Sequence, residues 1–249
     1  MNQKQNRPGA LMRVISRQIG RAIADYDMLH DGDKVMVAVS GGKDSLALLR
    51  LLTYRQTFAP IKFELLAVYV DCNIPGAPIE KLRQAVLETG VPFIVEKADQ
   101  FSPRDWEEMN CFWCAWNRRK TLFRLAERLG FPKIALGHHM DDIVETILLN
   151  LFYRGEVGAM RPRQDLFEGR LTIIRPLAYS EEGMIRRFVV EELQETFVTC
   201  SCPRSSQTQR AAIKKLVAEL QEKNPQVKKN IFHALKNIKT DYLLDHESA

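Results

Sequence analysis

Three groups of residues in this 249-residue chain combine types and spacings that can do chemistry. The first is Ser40-Gly41-Gly42-Lys43-Asp44-Ser45. Paired glycines permit tight, positive-φ turns and let the backbone approach an anion closely. A helix starting just behind them offers open N–H groups and a partial positive charge. Lys43 can reach a phosphate, and Ser40 and Ser45 can cap the helix or donate hydroxyls. A Walker loop needs four residues between its glycine and its Gly-Lys, so this is a different phosphate cradle.

The second group is sulfur. Cys111 and Cys114 form a C-x-x-C, Cys200 and Cys202 come far downstream, and Cys72 stands alone. Four thiolates suit a closed structural zinc site. Three suit a [4Fe-4S] cluster with one iron open. Phe112, Trp113 and Trp116 can shield such a cluster from water. Buried cysteines acting as small hydrophobes are the third reading. Arg118, four residues after Cys114, can stabilise phosphate or developing negative charge. It cannot act as a base near neutral pH.

The third group is Gly137-His138-His139-Met140-Asp141-Asp142. Two carboxylates there can hold Mg²⁺ or move a proton. Either can also simply cap the helix that follows. His139 is expected to be structural, and the HExxH spacing of a zinc hydrolase is absent.

These groups need elements to hold them. Residues 35–39 are a short apolar, β-branched run, expected as a buried strand running straight into the glycine loop. Further strands are expected at 65–70, 91–95, 134–136 and 171–174. Helical patterns fall at 10–28, 46–52, 78–89, 117–129 and 141–153. Alternating strands and helices predict an α/β fold with a parallel sheet flanked by helices. Ligands of such sheets bind beyond the strand C-terminal ends. That rule makes Ser40, Asp71, Lys97 and His138 mouth residues. Past Pro203 come two basic helices, 206–222 and 227–243, split by Asn224-Pro225. The expected organisation is a leading helix (1–28), a nucleotide domain (29–202) and a basic helical C-terminal extension (203–249).

Bulk composition agrees. The chain is 45% hydrophobic, enough for one large core, and its net charge of +5 permits a polyanionic partner without requiring one. Arg204, Arg210, Lys214, Lys215, Lys228, Lys229, Lys236 and Lys239 can bind an RNA backbone, or can be the solvated faces of two helices. No apolar run is long enough to span a bilayer and no secretory h-region opens the chain, so a cytoplasmic, reducing setting is expected.

The order of motifs resembles the tRNA 2-thiocytidine synthetase family of the PP-loop ATP pyrophosphatase superfamily. It runs SGGKDS, C-x-x-C followed by Arg118-Arg119-Lys120, LGHHMDD, RPL, then a late cysteine ahead of Arg210. The resemblance implies a Rossmann-like, adenine nucleotide α-hydrolase-like fold and the cofactors ATP, Mg²⁺ and a [4Fe-4S] cluster. It implies that Ala38, Val39, Ser40, Gly41, Gly42, Lys43, Asp44, Ser45, Val70, Asp71, Gly137 and His138 bind nucleotide. Lys43, Arg118 and Asp142 would be catalytic, and Cys111, Cys114 and Cys202 would hold the cluster. Relatives often carry C-x-x-C at the late site, whereas this chain has C-x-C, which leaves Cys200 as an alternative or fourth ligand. The implied reaction adenylates the C2 oxygen of a cytidine, position 32 of tRNA, and replaces it with sulfur. The implied partners are tRNA, a sulfur donor (a cysteine desulfurase or inorganic sulfide) and, optionally, a second copy of the chain. A 2-thiouridine-type or lysidine-type enzyme, or a zinc-stabilised RNA-binding protein, are the competing readings.

Overall fold

The five strands that the apolar runs predict, joined by a sixth that they do not, form one sheet in a computed structural model that describes residues 8–73, 79–98, 111–194 and 209–242, with the backbone alone at 111–114. Its order is β3-β2-β1-β4-β6-β5. The strands are β1 (Asp33–Ala38), β2 (Phe63–Asp71), β3 (Phe93–Lys97), β4 (Lys133–Ala135), β5 (Arg163–Leu166) and β6 (Leu171–Ile174). The first five positions in that order pair in parallel, for example Val37 with Ala67 and with Ala135. β5 pairs antiparallel to β6, Leu166 opposite Leu171. The sheet is therefore mostly parallel, with one antiparallel edge strand.

Burial on both faces explains why β1 and β2 are nearly unbroken apolar runs. Val35, Val37, Leu65, Ala67 and Tyr69 point into one core layer, and Met36, Leu66, Val68 and Val70 into the other. The first layer is covered by α1 (Ala10–Asp25), through Ile15, Ile19 and Ala22 at helical spacing, and by α2 (Lys43–Gln56), through Leu48, Leu51 and Leu52. α3 (Ile79–Leu87) and α6 (Glu182–Arg187) join that layer. The second layer is covered by α4 (Cys111–Leu129), through Leu122, Leu125 and Ala126.

The chain divides into two units. Residues 1–139 and 161–201 make the first, which contains the whole sheet; residues 140–160 and 202–249 make the second. In the second, α5 (Met140–Arg154), α7 (Gln209–Lys223) and α8 (Val227–Ala234) pack on one another. Their buried side chains include Ile143, Val144, Ile147, Ile213, Val217 and Phe232.

Within the sheet the strand order reverses between β1 and β4. Such a switch point opens a crevice at the strand C-terminal ends. The loops leaving β1 and β4 carry SGGKDS and LGHH, so both motifs reach the same crevice.

Candidate active site

The loop after β1 is held by its own serines. Ser45 Oγ donates to the Gly42 carbonyl at 2.9 Å, lies 3.2 Å from Ser40 Oγ, and accepts the Ser40 N–H at 3.1 Å. The Gly42 N–H points to Ser40 Oγ at 3.3 Å. Gly41 sits at φ +82°, a conformation open to glycine and strained for most side chains. The N-cap of α2, Gly42, makes no side-chain cap, and the N-terminus of such a helix favours an anion. These are the features a triphosphate needs.

Gly137 explains how the second motif joins the first. A Cβ there would lie 3.0 Å from Asp44 C and from Ser45 N. The backbone after β4 is thus pressed against the first turn of α2, and a side chain at 137 would require that main chain to give way. His139, buried at 5% exposure, brings Nε2 to 3.8 Å from Asp44 Oδ1. His138 between them is half-buried.

Lys43 is not loose. Its Nζ lies 3.0 Å from Asp44 Oδ2 and 2.9 Å from Glu182 Oε1 of α6. Burial disfavours its charge, but the two carboxylates outweigh that and hold the ammonium above its ordinary pKa. Lys43 is therefore a cation fixed in place at any physiological pH.

A small cleft of about 50 Å³ opens beside the loop. Ala38, Val39, Ser40 and Val70 line it from the strand ends, and Arg118 and Leu122 from α4. Five of the sequence-predicted residues thus share one cleft. Asp71 ends β2 next to Val70, and its carboxylate accepts the Asn73 N–H at 2.8 Å. Arg118 Nε reaches Cys72 Sγ at 3.5 Å, so the cysteine that stood alone in sequence is the sulfur beside the cleft arginine.

Cys111 and Cys114 stand in the first turn of α4, about two turns and one turn ahead of Arg118. Their side chains, and Cys200 and Cys202 entirely, lie outside the described residues. Among the described residues no group of three or more His, Cys, Asp or Glu is disposed to hold a metal.

In the second unit the two carboxylates of LGHHMDD divide. Asp141 Oδ1 pairs with Lys228 Nζ at 2.6 Å, both side chains largely buried. Asp142 is half-buried and its carbonyl accepts the Thr146 hydroxyl at 2.7 Å. Glu145 Oε2 accepts from Arg210 Nε at 3.0 Å. Two cations of the basic C-terminal stretch thus serve ion pairs within the unit.

A family model described as a PP-loop domain matches residues 11–220. The tRNA-cytidine(32) 2-sulfurtransferase of Geobacter sulfurreducens is 42% identical over 241 residues, covering 94% of this chain and 93% of that one. The chain belongs to the tRNA-cytidine(32) 2-sulfurtransferase family. Another member, from Burkholderia multivorans, is 41% identical over 243 residues, 94% of this chain and 72% of its own length. Among solved structures, the U34-tRNA thiolase NcsA from Methanococcus maripaludis with its [4Fe-4S] cluster shares the fold, with a TM-score of 0.74, 22% identity and coverage of 94% of this chain and 80% of that one.

For a member of this sulfurtransferase family, two residues at the site, Glu182 and Cys72, had no role legible in the sequence. Glu182 has no motif of its own; only the RPL at 175–177 upstream marks its neighbourhood. His139, expected to be structural, is buried beside the loop acid. Cys72 carried no spacing signal at all.

Proposed function

We propose that this chain uses ATP to activate the C2 oxygen of cytidine 32 in tRNA and exchanges that oxygen for sulfur. Its relatives, tRNA-cytidine(32) 2-sulfurtransferases, support the substrate. One observation carries the chemistry: the helix that begins at Cys111 and Cys114 sends Arg118 into the cleft that the phosphate-loop strand lines. Nucleotide activation and sulfur ligands then meet over one helical turn.

ATP is the substrate of the first step, with its phosphates on the α2 N-terminus, Lys43 and the loop N–H groups. The cytidine C2 oxygen attacks the α-phosphorus; the new O–P bond forms as the bond to the β-phosphate oxygen breaks and pyrophosphate leaves. Lys43 and Arg118 offset the charge that builds on phosphate. Sulfide then attacks C2, and the C–O bond breaks with the oxygen departing on AMP. An RNA loop supplies a base already unstacked for this. Cys111, Cys114 and Cys202 are the proposed ligands of a [4Fe-4S] cluster, which would supply sulfide at an open iron. Asp71 and Asp142 are the candidates for Mg²⁺ or proton handling, and the reducing cytoplasm, the sulfur donor and a homodimer belong to the same proposal.

The test is reconstitution under anaerobic conditions with ATP, sulfide and tRNA, read by nucleoside mass spectrometry. Expected is 2-thiocytidine at position 32, with one pyrophosphate released per thiolation. Cys111→Ser and Cys202→Ser should lose iron and thiolation while ATP binding persists. Pyrophosphate release without any thiolated nucleoside removes the substrate assignment and leaves the ATP site standing.

A further inference from the structure

Helix α4 has two distinct faces. Arg118 and Leu122, one turn apart, line the nucleotide cleft. On the opposite side Trp116, Lys120, Phe123 and Glu127 form a single stripe at helical spacing. That stripe walls a groove of about 820 Å³, contained within the first unit. The β5–β6 hairpin forms the facing wall, and Leu171 and Ile173 of β6 lie at its floor.

The charge of this groove is not that of an average surface patch. The chain has 36 Lys and Arg against 31 Asp and Glu. The groove is lined by Arg119, Lys120, Arg124, Arg170 and Arg175 against the single carboxylate of Glu127. Two flat rings stand at its rim in solvent: Trp116 at 53% exposure, and Phe167 at 51% on the hairpin tip. Phe167 is held at φ +53° and meets Phe123 edge-on at 5.8 Å. Exposed rings interleaved with guanidinium groups over an apolar floor match a single-stranded polynucleotide, whose bases stack on rings while its phosphates take the cations. A second copy of the chain fits poorly, because a symmetric dimer on this face sets like charges against each other.

We propose that this groove seats an unpaired strand of the tRNA substrate. Trp116 and Phe167 are the stacking platforms, and Arg119, Lys120 and Arg124 take the phosphates. The inference rests on the tRNA-thiolation reading above and adds the surface that receives the RNA. Trp116, at one end of the groove, lies on the same helix as Arg118, which enters the cleft, whereas Phe167 stands at the N-terminal ends of β4 and β6, so a strand seated here runs along α4 toward the cleft.

The experiment measures tRNA affinity of the full-length protein by anisotropy at several salt concentrations. The variants are Arg119→Glu with Arg124→Glu, Trp116→Ala, Trp116→Phe, and Lys81→Glu at an exposed position of α3 as the control. Expected is a loss of about tenfold or more for the double reversal, with the log–log salt slope shallower by about 2 than that of the wild type. Trp116→Ala weakens binding about tenfold and Trp116→Phe restores most of it. Groove variants that bind and shift no more than Lys81→Glu, alongside a wild type that thiolates tRNA, overturn the groove and leave the function intact. A wild type that is dimeric by sedimentation, and that Trp116→Ala makes monomeric at unchanged tRNA affinity, assigns the groove to a second copy and overturns it too. A wild type with no tRNA affinity removes the functional reading itself.

Discussion

Gly137 shows how much one missing methyl group can decide. Its backbone lies so close to Asp44 and Ser45 that a Cβ would sit 3.0 Å from main-chain atoms, which would have to shift rather than swing aside. Gly137→Ala should therefore push the phosphate loop out of register. We expect a stability loss of about 1–3 kcal/mol by urea unfolding, and ATP affinity reduced about tenfold by calorimetry, the equivalent of about 1.4 kcal/mol. Unchanged ATP affinity would mean that the two loops are not packed as described. Glu182 makes a second prediction with a defined sign. Its carboxylate, with Asp44, raises Lys43 above the ordinary lysine value of 10.5 despite burial. A cation with a raised folded-state pKa contributes stability that is fully present below its unfolded value and fades as pH rises through the folded one. Glu182→Gln should then cost about 1 kcal/mol at pH 8. That cost should shrink in urea titrations run above pH 10.5, where Lys43 begins to lose its proton in the unfolded chain. A cost that stays constant into strong alkali would dissociate Glu182 from the lysine charge.

At the scale of elements, legibility followed periodicity. The runs at 35–39, 65–70 and 134–136 are apolar without interruption because both faces of the sheet are covered, and the chain reveals such strands directly. β5 was invisible. Arg163-Gln164-Asp165-Leu166 has one apolar residue, and it is a strand because β6 beside it offers unpaired backbone groups, a tertiary cause. The site split the same way. SGGKDS and LGHH could be read because backbone turns demand glycine at fixed offsets, whereas Glu182 and Cys72 reach the loop and Arg118 only through folding. The segment Phe188–Leu193 is a further case: it winds as a π-helix ending at Gln194 in the left-handed region, which no local pattern announces. Its consequence is specific. Glu192 from this turn accepts the N–H of Leu11 at 2.7 Å and of Met12 at 3.0 Å, capping α1 from 180 residues away, while the α1 N-cap Gly9 supplies no side chain. Glu192→Ala should lower stability by about 1–2 kcal/mol, with Glu192→Gln losing less. Amide exchange of residues 11–13 should accelerate more than that of the sheet. Uniform acceleration across the sheet would instead indicate a general packing defect.

For the whole molecule, the informative fact is where the chain changes units. It leaves the first between His139 and Met140, inside a single motif, and completes the second only with residues beyond 201. α5 therefore depends on sequence that arrives some sixty residues later. Ile143, Val144, Ile147 and Leu148 of that helix are buried, and α7 and α8 are the helices of the same unit that contact it. Asp141 and Glu145 are buried on it as well, each facing a cation from that late sequence, Lys228 and Arg210. Removing residues 209–249 strips α5 of its apolar cover and of two cations at once, and a buried carboxylate that loses its ion-pair partner costs about 3–5 kcal/mol. The C-terminal segment is thus not dispensable, even though its composition looks like a solvated basic tail. The truncated chain should bind a hydrophobic dye, unfold with a lower midpoint, and lose ATP turnover, since α5 is joined to the glycine that backs the phosphate loop by two residues. The contrast is Lys215→Ala with Lys229→Ala, two cations on the exposed sides of α7 and α8, where about 0.5 kcal/mol or less is expected. If the truncated chain instead melts like the full one and still turns over ATP, then α5 holds its shape without α7 and α8, and the two carboxylates on it are not anchored by Lys228 and Arg210.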